Sequence, residues 1–381
     1  MIDNIITVPL LTAGAFFAVS YFLNPSTIIM QQVATTEEMG GNGLTDEVVT
    51  NMISDSIQQI TLTAATNRGA LVSRETARAK SVEALSDTFG LRQPIRAAQL
   101  TLGLLPYTFD GDFVKKGEGV EFRLRGVSPS YSNFEVKLDA GDATVESIRE
   151  VSRNAALAIL QAIDPYLVAV YRFRNESAES EASGTPDFMQ TKEAIEYALI
   201  HEDRSHLPWV YALWGAVLYG EGDYEGAIVR YRQSLKLDGT FPRPMMRWGQ
   251  ALAAMDRHDE AIGRYKATLA LDPAYPEALV LWGQSLIAKG EIAEARVMYE
   301  RALAMSPDFP RIVHAYGMFE AKYGDKLVAA DYLRRAVALE GGHALDRGQG
   351  AKYMASLRDV QREIDPAITG LLPPNATIPT N

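Results

Sequence analysis

The sequence contains no cysteine, only five histidines among 381 residues, and no basic residue before Arg68. The absence of cysteine excludes disulfide scaffolds, thiolate catalysis, iron–sulfur clusters and zinc sites that use sulfur. Lysine and arginine number 37 against 48 aspartates and glutamates, which gives a formal net charge of −11. Because this charge offers no basic excess to neutralise phosphates, we expect no nucleic-acid partner.

Sequence motifs for catalysis are also missing. The chain has no G-x-S-x-G, H-E-x-x-H, G-x-x-x-x-G-K-[ST] or G-x-G-x-x-G pattern. None of the histidines falls in residues 26–172, so the commonest general base is absent there. We therefore predict no catalytic residue, no cofactor and no metal, and expect a protein that is not an enzyme. An enzyme or ligand-binding activity in residues 26–172 stays open as the alternative, because paired carboxylates cannot be judged from sequence.

One long apolar run stands near the start of the chain. Residues 5–23 carry no charge, and as a helix they would rise about 28 Å, close to the roughly 30 Å hydrocarbon core of a bilayer. We predict a single-pass transmembrane anchor over residues 1–25, ended by Pro25. A cleaved signal peptide and a buried core helix remain alternatives.

The orientation of this anchor is weakly encoded, because the positive-inside rule has no nearby basic residue to count. We expect a membrane protein with its short N-terminus inside and its body outside, which in a bacterium is the periplasm; otherwise the body is cytoplasmic. Gly14 and Ala18 form only a weak small-residue motif for self-association, so the oligomeric state stays open.

The stretch 26–172 changes its hydrophobic period along its length, which predicts an α+β domain. Its expected elements are a strand within 26–35, helices over 45–60, 74–85 and 94–104, a hairpin of 119–127 and 131–138 joined at Ser-Pro-Ser, and a helix over 145–163. Asp110-Gly111-Asp112 is interpreted as a turn, because the ligand spacing of a calcium loop is absent.

From Pro208 the sequence repeats with a constant period. Two small residues mark each repeat: glycine at 215, 249, 283 and 317, and alanine at 227, 261, 295 and 329. An aromatic residue precedes each glycine (Trp214, Trp248, Trp282 and Tyr316), and a second large side chain follows the alanine (Tyr231, Tyr265, Tyr299 and Leu333). This content and its period resemble the tetratricopeptide repeat (TPR) family, with repeats at 208–241, 242–275, 276–309 and 310–343.

The resemblance implies a mainly α protein, in which a right-handed superhelix of TPR helical hairpins follows the α+β domain and the transmembrane helix. Trp214, Trp248 and Trp282 should pack between neighbouring hairpins. Around the repeats at 208–343 we expect a linker at 173–187, a degenerate capping helix at 188–207, a second capping helix at 344–366 and a disordered tail at 367–381.

The resemblance also implies a concave groove lined by the first helix of each repeat. Carried over to this sequence, the candidate peptide-groove residues are Trp209, Tyr219, Arg243, Gln250, Gln284, Arg311, His314 and Lys322. Basic side chains would pair with carboxylates, and the glutamines would bind a peptide backbone. Ala212 and Ala216 replace the Lys and Asn of the chaperone-binding clamp, so that kind of partner is not expected. The predicted function is a membrane-anchored scaffold or adaptor for a protein partner or peptide segment, within a cell-envelope assembly.

Overall fold

The computed structural model of the chain describes residues 28–64, 107–117, 119–127, 134–340 and 349–364. Within these ranges no helix combines the length and apolarity that a membrane crossing requires. Several predicted features lie outside them: the span at 5–23, the helices at 74–85 and 94–104, the Ser-Pro-Ser connection and the tail at 367–381. The described residues form two compact units, one up to Ala178 together with Glu196–Glu202, the other from Glu179 to Ile195 and from Asp203 onward.

The first unit contains a four-stranded sheet and helices. Its elements are β1 Ile28–Met30, α1 Glu37–Gly41, α2 Asp46–Ala64, β2 Tyr107–Lys116, β3 Gly119–Val127, β4 Phe134–Asp139 and α3 Val145–Ile163. The strand order is β1-β2-β3-β4, with β1 parallel to β2 and the other pairs antiparallel. Helix α3 packs against α2 and β4. The predicted strand, the helix from 46, the hairpin strands and the helix over 145–163 are confirmed.

The interpretation of Asp110-Gly111-Asp112 as a turn is wrong, because these residues lie in the middle of β2. Gly111 faces the core, where a Cβ atom would lie only 2.5 Å from the ring of Phe122. The two aspartates point to the opposite face, where both pair with the guanidinium of Arg125 on β3. Because Gly111 stands where an apolar side chain would continue the alternation of Phe109 and Phe113, the strand could not be recognised from its hydrophobic pattern.

A second correction concerns the predicted linker at 173–187. Helix α4 spans Pro165–Ser183 and therefore runs through most of that segment. Alanine and glutamate in this stretch favour helix locally, and Glu176 is buried. The helix gives way at Gly184, whose φ of 73° is left-handed.

The second unit is an array of helical hairpins. After α5, Met189–His201, the hairpins are α6 Leu207–Gly220 with α7 Tyr224–Leu237, α8 Pro242–Ala254 with α9 His258–Leu271, α10 Pro276–Ala288 with α11 Ile292–Met305, and α12 Pro310–Tyr323 with α13 Lys326–Leu339, followed by α14 Gly350–Ile364. Consecutive helices from α6 to α14 contact one another, and first helices of neighbouring hairpins also touch. The four predicted repeats are thus four stacked hairpins.

A proline begins the first helix of every hairpin. Pro208, Pro242, Pro276 and Pro310 occupy the first turn, where the missing N–H costs no intrahelical hydrogen bond. In the first three hairpins the turn between the two helices contains a left-handed residue, which is Gly222 in the first repeat and Gly290 in the third. In the second repeat Asp256 adopts the same conformation with a φ of 63°.

Glycine and an aromatic ring hold each of the first three hairpins together. A Cβ atom added at Gly215 would lie 2.4 Å from the ring of Tyr231, and one added at Gly249 would lie 2.6 Å from the ring of Tyr265. Both tyrosines are fully buried. The fourth hairpin uses Gly317 against Leu333, where the corresponding distance is 3.0 Å.

We expect Gly249→Ala to destabilise the chain by about 1–3 kcal/mol, because Tyr265 would have to leave its position. Gly263→Ala is the matched control. Gly263 lies in α9 of the same hairpin, is exposed, and has no atom within 4 Å of an added Cβ, so alanine there should stabilise helix α9 by about 0.5–1 kcal/mol. Urea denaturation followed by tryptophan fluorescence measures both changes, and equal effects of the two substitutions would contradict the packing role.

Candidate functional site

The predicted groove residues all lie on the first helices of the hairpins, α6, α8, α10 and α12. Five of them are exposed: Trp209, Arg243, Gln284, Arg311 and Lys322. Tyr219, Gln250 and His314 are half-buried. The first helices therefore present a surface of mixed aromatic, amide and basic character.

Polar contacts connect these residues to neighbouring hairpins. Burial raises the pKa of the Tyr219 hydroxyl, while its hydrogen bond with Gln250 on α8 lowers it. The amide oxygen of Gln250 also accepts from Arg247 Nη1 at 2.7 Å. Arg243 hydrogen-bonds to the hydroxyl of Tyr275, just before α10, and weakens the rise of the tyrosine pKa that burial causes.

Two further candidates are anchored by aromatic side chains. The ring of Trp209 lies 4.2 Å from that of Phe241, centroid to centroid, and the indole stays 36% exposed. Gln284 on α10 hydrogen-bonds to Tyr299 on α11, a buried tyrosine whose pKa burial raises to about 12. These contacts fix the side chains before any partner arrives.

His314 differs from the other candidates, because helix α14 packs against it. Its Nε2 lies 3.0 Å from Ser356 Oγ, and its ring centroid lies 4.6 Å from that of Tyr353. Burial lowers its pKa to about 4, with a further contribution from the positive charge of Lys352. Met246 and Val280, which hold the corresponding position in the preceding repeats, are buried as well. His314 therefore takes part in the packing between successive first helices, and its place in a partner surface stays a prediction.

Sequence reasoning missed a buried ion pair between the third and fourth hairpins. Glu320 on α12 is only 4% exposed and pairs with Arg296 on α11. Its other oxygen accepts from the backbone N–H of Asp325 at 3.3 Å. The Arg296 guanidinium also lies 4.9 Å from the ring centroid of Phe319. Nothing in the repeat period marks this pair, because neither residue recurs in the other repeats.

The tryptophans of the repeats are half-buried. Trp248 and Trp282 pack against the apolar clusters of neighbouring hairpins, as predicted. A cation also lies over each indole: Arg230 over Trp214, Arg264 over Trp248 and Lys266 over Trp282. The packing of Trp248 and Trp282 was thus predicted from the sequence, whereas the charged partners of the three indoles were not.

Acidic and histidine side chains are the remaining candidates for metal ligands in a chain without cysteine. Across the ranges that the structure describes, no group of three or more histidine, aspartate or glutamate side chains could hold an ion. In the first unit, Glu121 pairs with Lys116 and Arg123, and Asp164 accepts from the N–H of Leu167 at 3.0 Å. These buried carboxylates thus have structural partners.

The burial of His314 makes stability depend on pH. The unfolded chain keeps a histidine pKa near the ordinary 6.5, whereas the folded chain holds it at about 4. Between these values the unfolded state binds more protons, so stability is full above the unfolded pKa and falls as the pH drops through the window. We expect His314→Phe, which retains a ring against Tyr353, to reduce this loss. The urea midpoint of each chain is measured at about pH 7 and about pH 5. An equal decrease of the midpoint in both chains would contradict the role of His314.

Comparison with known protein families finds a match within the repeats. Residues 252–318 match the family model described as a tetratricopeptide repeat. No curated protein matches the chain.

Among solved structures, similarity is found to the Cut9–Hcn1 hetero-tetramer of the APC/C, at 17% identity over 56% of this chain and a TM-score of 0.43. The match spans 40% of that chain, so this protein corresponds to less than half of its length. A thermophilic TPR protein of Thermus thermophilus matches at 17% identity, with 52% of this chain, 99% of that chain and a TM-score of 0.41. PilF of Pseudomonas aeruginosa matches at 18% identity, with 54% of this chain, 92% of that chain and a TM-score of 0.37. The residues that match the tetratricopeptide repeat model, 252–318, lie within the stacked hairpins of constant period, from α8 to α12.

Proposed function

We propose that the chain is a scaffold that binds a protein partner on the surface formed by its first helices, without making or breaking a covalent bond. The observation that carries the proposal is the arrangement of those helices. The hairpins bury their own glycine–tyrosine contacts, and Arg243, Gln284, Arg311 and Lys322 remain exposed. A preformed surface of this kind binds without the entropic cost of ordering itself.

The chemistry of this surface favours a partner segment with carboxylates. Arg243 and Arg311 can each give a planar pair of N–H donors to a carboxylate, and Lys322 adds a third positive charge. Gln250 and Gln284 can bond to the backbone of an extended peptide. Repeat arrays of the TPR type generally act as interaction scaffolds, which supports a role outside catalysis.

Residues 5–23 support the further proposal that the scaffold is anchored in a membrane. The run is long enough to cross the apolar core of a bilayer and carries no charge. We place the short N-terminus inside and the body in the periplasm of a bacterium, as part of a cell-envelope assembly. A tethered array would hold its partner close to the membrane and raise the local concentration of the two.

The partner surface is tested by crosslinking in membranes that contain the full-length chain. We expect Arg243→Glu/Arg311→Glu to reduce the yield of the main crosslinked protein at least about tenfold, since losing charge-assisted hydrogen bonds costs ~1.5–3 kcal/mol each. The matched control is Lys137→Glu/Arg149→Glu, which changes the net charge equally at exposed residues of the first unit. Unchanged crosslinking by the first variant would remove Arg243 and Arg311 from the surface.

The anchor is tested by extracting membranes at alkaline pH. Full-length chain should stay in the membrane pellet, and a variant lacking residues 1–25 should appear in the supernatant, because nothing else is proposed to hold it. Full-length chain recovered in the supernatant would contradict the anchor. An N-terminus found near Ser20 by mass spectrometry would show cleavage instead.

A further inference from the structure

Four basic side chains on the second helices of the first two hairpins lie against the repeat tryptophans. The guanidinium carbon of Arg230 lies 3.5 Å from the ring centroid of Trp214, and that of Arg264 lies 4.1 Å from the ring centroid of Trp248. Arg232 lies 6.0 Å from Trp248, and Lys266 Nζ lies 5.1 Å from Trp282. We name Arg230, Arg232, Arg264 and Lys266 the basic stripe.

The basic stripe follows the repeat. Arg230 and Arg264 occupy equivalent positions in successive repeats, and each lies over the tryptophan of its own hairpin. Arg232 and Lys266 are also equivalent to each other, and each approaches the tryptophan of the next hairpin. In each of the first two hairpins, the second helix therefore places one cation on the tryptophan of its own hairpin and one near the tryptophan of the next hairpin. As a result, Trp248 has a cation from each of its two neighbouring second helices.

The cations of the basic stripe form no ion pair with a carboxylate among the residues that the structure describes. Arg264 Nε is also buried without a hydrogen-bond partner in that part of the chain. Other cations of the repeats do pair with acids, as Arg257 does with Glu260 at 2.7 Å and Lys289 with Asp259 at 2.7 Å. In a chain of net charge −11, the basic stripe thus places four cations without an ion pair next to one another.

The fourth hairpin does not continue the basic stripe. At the position of Arg232 and Lys266, the third hairpin has Glu300, and Arg334 in the fourth hairpin pairs with Asp331 at 2.6 Å. The fourth aromatic residue, Tyr316, packs edge-on against Tyr332 at 4.8 Å between centroids. The basic stripe is therefore confined to the side of the array formed by the first three tryptophans.

This surface is separate from the candidate groove. Trp214 is five residues from Trp209 and five from Tyr219, which places it about 140° around helix α6 from either one. The same spacing separates Trp248 from Arg243 on α8. A ligand on the basic stripe would therefore lie on another side of the hairpins than a ligand on the groove residues.

We propose that the basic stripe is a second docking surface, and that its ligand is an acidic segment of a partner protein. Stacking on an indole restrains a guanidinium while its remaining N–H groups can still donate to a carboxylate. In Arg230, Nη1 already donates to Gln233 Oε1 at 2.9 Å. Cations held in this way lose little rotamer freedom when an acidic peptide binds. A single-stranded nucleic acid would need an open aromatic face for its bases, but Arg230 and Arg264 cover those faces.

The experiment measures binding of a fluorescein-labelled poly-glutamate peptide to the purified full-length chain by fluorescence anisotropy in mild detergent. The test variant is Arg232→Glu/Lys266→Glu, whose two residues are exposed and leave the stacked Arg230 and Arg264 in place. We expect affinity to fall at least about tenfold, and binding by the unchanged chain to weaken when salt rises from about 50 mM to about 200 mM. Thermal unfolding by circular dichroism checks that the variant is folded.

Two controls separate the surfaces. Arg334→Glu/Arg335→Glu makes the same charge change on α13, where Asp331 and Asp308 already pair with these residues, and should alter affinity less than about threefold. Because Arg243 and Arg311 of the groove can also bind carboxylates, Arg232→Glu/Lys266→Glu is measured again in the Arg243→Glu/Arg311→Glu background, where the remaining poly-glutamate binding should fall by the same factor. Failure of the groove variant alone, or equal losses in all variants, would overturn the basic stripe.

Absence of poly-glutamate binding would overturn the proposal as well. Oligo-dT and phosphatidylserine vesicles are the competing probes. If either binds more tightly than poly-glutamate, and the Arg232→Glu/Lys266→Glu variant loses that binding, the surface belongs to nucleic acid or membrane and the acidic-segment assignment is wrong.

Discussion

The contact between a glycine on the first helix and a ring on the second is the constraint on which the repeat region depends. At Gly215, Gly249 and Gly283 the tyrosine edge occupies the space that a side chain would need. No other residue type allows the two helices to approach as closely. Once this contact fixes the hairpin, the remaining positions acquire distinct surroundings.

One side of the first helix carries the candidate groove residues, and the other carries an indole that the cations of the second helices cover.

The same constraint explains which features could be predicted from sequence. Close packing tolerates so few residue types that Gly and Ala return in every repeat and Tyr in the first three, and the hairpins can be counted from that period. Strand β2 could not be recognised, because a glycine holds its central inward position, 111, and aspartates stand on either side of that glycine. Helix α4 was missed for a related reason: its polar composition suggested a linker, although alanine and glutamate are good helix formers. For the site, residue positions on the first helices were predictable from the family pattern. The Glu320–Arg296 pair was not, because it depends on single residues outside the period. Helix α14 lies within the predicted capping helix at 344–366, but its contact with His314 was not predictable from the period.

The charged side chains of the repeats fall into three groups: exposed ion pairs, one buried ion pair, and the basic stripe. Arg257, Lys289 and Arg335 meet carboxylates on their own or a neighbouring hairpin. Exposed pairs of this kind contribute little stability and chiefly neutralise the surface. Glu320 is different, because removing Arg296 would leave a buried carboxylate without its main partner. The basic stripe belongs to neither class. Its arginines contact indole rings and form no ion pair with an acid among the described residues. The basic stripe is thus a positively charged surface on a chain whose net charge is −11.

Helix α14 limits where a partner can bind on the first helices. It packs on α13 and α12, with Leu357 and Val360 against Ala329 and Leu333, and so takes the place that the first helix of another repeat would take. Tyr353 and Ser356 then reach His314, just as each following first helix buries Met246 and Val280 in the earlier repeats. Helix α14 therefore packs as the first helix of a further repeat would, although its sequence lacks the family pattern. A neighbouring helix thus covers this position in the second, third and fourth repeats, while Arg243, Gln284 and Arg311 on the same first helices stay exposed.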